Sequence, residues 1–139
     1  MLAGLVSHPW AYPALEAAHI VGIALLFGGL LVFELRVLGL GRELPQRQLA
    51  RLTLLPALVG FGLCAATGLT MFSTQPGELL ANSAFRIKLL LIGLAGANAI
   101  WFHLRGGLAA TGAMSRAQCL LSLGFWLAVI ICGRWIAYV

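Results

Sequence analysis

Four long stretches of the chain carry almost no charge, and that feature limits the fold more than any motif. Between Glu16 and Glu34 the only titratable side chain is His19, and between Arg51 and Glu78 it is Cys64. Between Lys88 and His103 there is none, and between Arg116 and Arg134 there are only Cys119 and Cys132. A membrane-spanning helix needs about 20 mostly apolar residues, and terminal Lys or Arg side chains reach back to the interface. The spacing predicts helices over Tyr12 to Leu38, Leu52 to Ser73, Phe85 to Leu104 and Arg116 to Tyr138. Barrel strands would alternate polar and apolar at every second residue, and these blocks do not. The expected fold is therefore all-α, a four-transmembrane-helix bundle.

Composition agrees. The chain is 61% hydrophobic and 9% charged, where a soluble domain carries about 25% charged residues; its mean hydropathy is +0.99. Residues 1–139 read as a single domain, with the bilayer standing in for a large soluble core. The formal charge of +5 comes from nine basic residues spread over loops and helix ends. That pattern suits lipid head groups, and without interleaved basic and aromatic residues it excludes nucleic acid as a partner.

The first block is expected to remain as a helix, because no basic segment precedes it and its apolar run exceeds signal-peptide length. Arg36, Arg42, Arg47 and Arg51 surround the first loop, and Arg105 and Arg116 flank the third. The second loop, "STQPGELLANSAF", holds Glu78. Basic excess marks the cytoplasmic side, so both termini are expected on the outer side of a multi-pass protein of the bacterial inner membrane. Trp10, Tyr12, Trp135 and Tyr138 would then form the outer aromatic belt, with Trp101 near the inner one. Three cysteines lie inside spans without a CxxC pair, which predicts neither a disulfide framework nor a zinc site.

Glycines mark where helices approach. Gly22 and Gly29 are seven residues apart on the face of His19, and Gly60, Gly68, Gly93, Gly96, Gly124 and Gly133 mark the other helices. Small residues permit close packing in membranes. Gly22 and Gly29 fit either such a seam or a slot for a flat cofactor, and the sequence leaves both open.

Polar side chains in spans are functional candidates by default. Helical rise puts His19 and Lys88 within about one turn of the same depth, and His103 on the order of 15 to 20 Å away along the axis. His19 and His103 therefore cannot share one iron within a chain. An outer cluster contains Glu16, His19, Lys88 and His8; an inner one contains Glu34, Arg36, Asn98, His103 and Arg105. A neutral imidazole at His19 can ligate iron or copper or hydrogen-bond a neighbouring helix. Glu16 fits a carboxylate orienting that imidazole or an interfacial acid. Lys88 fits an interfacial anchor, a partner for Glu16 or a contact for a haem propionate. Glu34 and Arg36 point to different sides of their helix, so partners for them are expected on the third helix, at Arg105 or His103. Met71 and Cys64 are soft enough for copper.

The segments "LEAAHIVGIALLFGGLLVFELRVLGLGR", "LLPALVGFGLCAATGLTMF" and "NSAFRIKLLLIGLAGANAIWFH" resemble an uncharacterised family of small four-helix bacterial membrane proteins. The family pattern is a first-helix His, an acidic-Leu-Arg-Leu-Gly-like turn, a Thr-Gly pair, a Phe-x-x-Lys opening and an Asn before Phe-His; this chain departs from it at the turn, where Val37 and Leu38 separate Arg36 from Gly39. More distantly, the first-helix His with spaced glycines, and a Lys opening the third helix, is similar to CopD membrane domains and HemJ-type protoporphyrinogen oxidases. In the latter the first-helix His is associated with haem, which implicates His19, with Lys88 at the matching Lys. The resemblance thus implies a b-type haem-binding protein that takes part in electron transfer. His19 would ligate iron, Gly22 and Gly29 make room for the ring, and Arg86 or Lys88 meet propionates. His8, Lys88 or another chain would fill the sixth position. A redox partner or a homodimer would then join the bilayer as partner. The alternatives are a non-enzymatic anchor or assembly subunit, with His19, Asn98 and His103 as interhelical hydrogen bonders, and copper or proton handling.

Overall fold

The long apolar runs are helical in the computed structural model, which describes residues 9–106 and 112–138. Among the described residues five α-helices and a closing 3-10 turn follow one another: α1 Ala11–Val37, α2 Gln46–Thr74, α3 Pro76–Ala81, α4 Ser83–Leu104, α5 Ala113–Trp135 and the turn Ile136–Tyr138. No strand occurs among the described residues. The four long helices have 22 to 29 residues and span about 33 to 43 Å at 1.5 Å per residue, enough to cross a hydrocarbon core of about 30 Å. Between 17 and 22% of each apolar window is buried inside the protein, so most of each apolar helix faces outward. The chain is a multi-pass membrane protein by length and composition of these helices.

Local chemistry accounts for the helix ends that lie away from their expected positions. α2 starts at Gln46 rather than Leu52, because Gln46-Arg47-Gln48-Leu49-Ala50-Arg51 is polar but made of good helix formers. The second loop is partly helical: α3 has Pro76 at its start and Glu78 in its first turn, both favoured there. Asn82 caps α4, its side-chain oxygen accepting from the amides of Ala84 at 3.0 Å and Phe85 at 3.2 Å. The same side chain donates to the carbonyl of Ile136 at 2.9 Å, tying α4 to the chain after α5. Gly112, with φ of 102°, takes a backbone form that other residues avoid and lets α5 begin at Ala113.

Packing joins the long helices in the order α2, α1, α5, α4. α1 and α2 form a tight antiparallel hairpin, α4 and α5 form a second, and α1 lies against α5. No Cα of α2 comes within 8 Å of one in α4 or α5 among the described residues. Aromatic pairs bridge that side instead: Phe61 meets Trp126 edge-on with centroids 6.3 Å apart, and Phe72 stacks on Phe85 at 5.6 Å. The bundle is therefore an arc with one loosely closed side. Phe33, Val37, Ala50, Phe102 and Cys119 form its buried cluster at the arginine-rich end.

Candidate functional site

The α1–α2 seam fixes His19. A Cβ at Gly22 would stand 2.7 Å from Cys64 Sγ and 2.9 Å from the Gly60 carbonyl, and one at Gly29 would meet the Thr53 carbonyl and Ala57. Backbone and side chains of α2 fill the space beside both glycines. Of the two readings left open for Gly22 and Gly29, these contacts match the packing seam, and α2 occupies the space that a flat ring would need beside them.

Within that seam His19 Nδ1 lies 2.9 Å from Thr67 Oγ1. The Thr67 hydroxyl has a single proton, and its closest backbone acceptor is the Leu63 carbonyl at 2.7 Å. With that proton committed, Oγ1 accepts from Nδ1–H, and the lone pair of the neutral imidazole resides on Nε2. The ring edge rests on Gly68, where a Cβ would stand 3.5 Å from Cε1, and Cys64 Sγ donates to the His19 carbonyl at 3.5 Å. Thr67, which the sequence marked only as one of a Thr-Gly pair, bonds the imidazole; Glu16, which fitted either an orienting carboxylate or an interfacial acid, is exposed and acts electrostatically on Tyr12.

Lys88 of α4 reaches the same region. Its ammonium interacts electrostatically with His19, Cys64 and Cys132, and a Cβ at Gly133 would lie 3.4 Å from Nζ. No carboxylate among the described residues pairs with it, so the pairing with Glu16 is absent. Arg86, two positions earlier, is exposed beside Ser83, Ile87 and Leu90. Side chains two apart diverge on a helix, and Arg86 does not share the Lys88 site. His8 lies outside the described residues. No group of three or more His, Cys, Asp or Glu side chains suited to a metal occurs among the described residues.

A second polar assembly occupies the arginine-rich end. A partly open cavity of about 290 Å³ lies between α1, α2, α4 and α5, with Glu34, Asn98, His103, Gln118 and Ser122 on its wall. Glu34 is 5% exposed and Gln118 2%. The Ser122 hydroxyl faces the Glu34 carboxyl group, while Glu34 Oε2 has no hydrogen-bond partner. Gln118 Oε1 accepts from Arg105 at 2.9 Å, and the Gln118 carbonyl accepts from Asn98 Nδ2 at 2.9 Å. Gln118 Nε2 has no partner.

These contacts correct the expected pairing of Glu34 and Arg36. Arg105 is committed to Gln118, and His103 is exposed. Arg36 turns into the first loop, donating to the Leu44 carbonyl at 2.8 Å and the Arg42 carbonyl at 3.5 Å. Glu34 faces α5 rather than α4, because α1 packs on α5. Gln118 escaped the sequence reading: next to Arg116 it reads as an interfacial residue, and only the packing of α5 buries it. Compared with known proteins, the chain matches no family model, no curated protein and no solved structure.

Proposed function

We propose that the chain is a b-type haem-binding subunit of a bacterial inner membrane, with His19 as an iron ligand and electron transfer as its role. The observation that carries the reading is the 2.9 Å contact of His19 Nδ1 with Thr67 Oγ1, whose own proton has the Leu63 carbonyl as acceptor. A second hydrogen bond that fixes the tautomer and aims the other nitrogen is the usual support of a metal-bound histidine. Lys88 adds a cation without a carboxylate partner in electrostatic reach of that imidazole, the chemistry a propionate needs. His19 and Lys88 thus fit the group. Gly22 and Gly29 do not fit it, because α2 fills the space beside them, and neither residue takes part in the proposal. Bound haem would supply one-electron chemistry, tuned by its axial ligand and surroundings. The resemblance to HemJ-type and CopD membrane domains at His19 and Lys88 supports the same assignment. The arginines of the first and third loops support a cytoplasmic position for those loops, with His19 near the outer leaflet.

The test is the visible spectrum of the protein purified in detergent from cells supplied with haem. A Soret band and a reduced α-band are expected; His19→Ala removes both, and Thr67→Val weakens haem retention by about 10- to 100-fold, the usual cost of losing such an orienting bond. A folded, colourless protein would overturn the reading. It would favour the anchor subunit instead, in which the 2.9 Å His19–Thr67 bond is interhelical glue worth about 0.6 to 2 kcal/mol.

A further inference from the structure

We propose that the cavity at Glu34 and Gln118 binds the single-ring head group of a lipid-soluble quinol or quinone. The site is separate from His19, since Glu34 lies about 22 Å further along α1 at 1.5 Å per residue.

The wall carries one unsatisfied acceptor, Glu34 Oε2, and one unsatisfied donor, Gln118 Nε2, each on a side chain more than nine-tenths buried. Buried polar groups are nearly always paired, so two orphans on one cavity wall call for a ligand or water that pairs them. The rest of the lining is mostly apolar, with Leu26, Leu30, Phe33, Leu58 and Phe61 among it. Small-molecule sites have this make-up: an apolar body with a few placed polar groups. A hydroquinone hydroxyl donates to the carboxyl oxygen, and a quinone carbonyl accepts from the amide.

Size and access narrow the class. About 290 Å³ stands at the lower edge of the range of about 300 to 1,000 Å³ for such sites, which suits one substituted ring and excludes a macrocycle. Among the described residues no Lys or Arg side chain lines the cavity, so the wall itself presents no such cation to a phosphate head group. The approach is from lipid. α2 has no backbone packing with α4 or α5, and between them the cavity is bounded by Leu58 and Phe61, which are 69% and 43% exposed, and by Trp126 in edge-on contact with Phe61. A molecule dissolved in the bilayer, with its tail left in the acyl phase, enters between those rings.

The experiment titrates the full chain in detergent micelles with a short-chain benzoquinone and reads indole fluorescence. Trp126 lines the cavity, so saturable quenching is expected, most of it lost in Trp126→Phe. Gln118→Leu removes the donor and weakens binding by roughly tenfold, the value of one buried hydrogen bond. Because Gln118 also supports Arg105, Gly96→Leu provides a second variant. Gly96 lines the cavity and a Cβ there meets nothing within 4 Å, so leucine fills the space without disturbing a polar contact. It abolishes quenching while the protein unfolds no earlier than the parent. Quenching that fails to saturate, or that persists unchanged in Gly96→Leu, overturns the proposal. Absence of quenching also overturns it and leaves water as the partner of the two orphaned atoms. His19→Ala binds the quinone as the parent does, so loss of the haem reading and loss of this one are separately visible.

Discussion

Gly60→Ala is the most informative single change, because one methyl there meets only α1. A Cβ at Gly60 would stand 2.5 Å from the Gly22 carbonyl oxygen and from the Leu26 nitrogen, and 2.8 Å from Leu25 Cβ. Ordinary contact begins at 3.4 Å, so the methyl is about 0.9 Å too close to two backbone atoms. Neither can turn away as a flexible side chain would. The helices must separate, and the seam gives no slack elsewhere, since Gly22 lies against Cys64 and Gly29 against Thr53. Overpacking of this kind costs about 1 to 3 kcal/mol. Two turns along, the 2.9 Å His19–Thr67 bond is stretched past bonding distance by a rigid shift of this size, adding about 0.6 to 2 kcal/mol. Alanine recovers about 0.5 to 1 kcal/mol of helix propensity. The net loss is about 1 to 4 kcal/mol. Gly62→Ala is the matched control: it lies on the same helix, and its Cβ meets nothing within 4 Å, so it gains about 0.5 to 1 kcal/mol. Reversible unfolding by sodium dodecyl sulfate in mixed micelles, followed by circular dichroism, compares the two. Stabilities within about 0.5 kcal/mol of each other would refute the close approach of α1 and α2.

Asn82→Ala removes the α4 cap and the bond to the Ile136 carbonyl; a loss of about 1 to 2 kcal/mol is expected, with faster amide exchange at Ala84 and Phe85. His103→Ala is expected to leave any visible spectrum unchanged and to shift unfolding by less than about 0.5 kcal/mol, because the side chain is exposed and its contact is edge-on to Phe102. For topology, a cysteine at exposed Gln48 is expected to resist an impermeant thiol reagent in intact cells, while one at exposed Gln75 reacts. The reverse labelling would put His19 near the cytoplasmic leaflet.

The helices were legible because hydrophobic length is a one-dimensional signal. Their ends were less so: the Gln46–Arg51 run forms helix by propensity although its polarity argues for a loop, and Pro76 with Glu78 is a helix-start pattern that the search for apolar spans passes over. The seam glycines were visible as small residues, yet whether Gly22 faces a cofactor or Gly60 is a matter of which helix lies opposite. The same limit misplaced the partner of Glu34. Loop lengths make α1 with α2 and α4 with α5 neighbours, but nothing in the sequence says that α1 then meets α5 rather than α4. His19 was legible as a candidate because an imidazole in a span is rare; Thr67 was less so, because a lone threonine in a membrane helix commonly bonds its own backbone, as Thr70 does to Ala66.

Helix order also explains why the two polar sites stand apart. Close packing of α1 on α2 leaves backbone against backbone, and the polar group in that seam, His19, finds its partner at once in Thr67. On the opposite side of the arc α2 meets α5 through Phe61 and Trp126 and α4 through Phe72 and Phe85, and on the cavity wall Glu34 of α1 and Gln118 of α5 keep one atom each unsatisfied. α1 carries both His19 and Glu34, so it is the element through which one site can sense the other. Its position is set by the seam at Gly22, Gly29 and Gly60. A change that shifts α1 on α2 therefore loosens the imidazole of His19 and widens the cavity at Glu34 together, whereas Gly96→Leu, on α4, acts on the cavity alone.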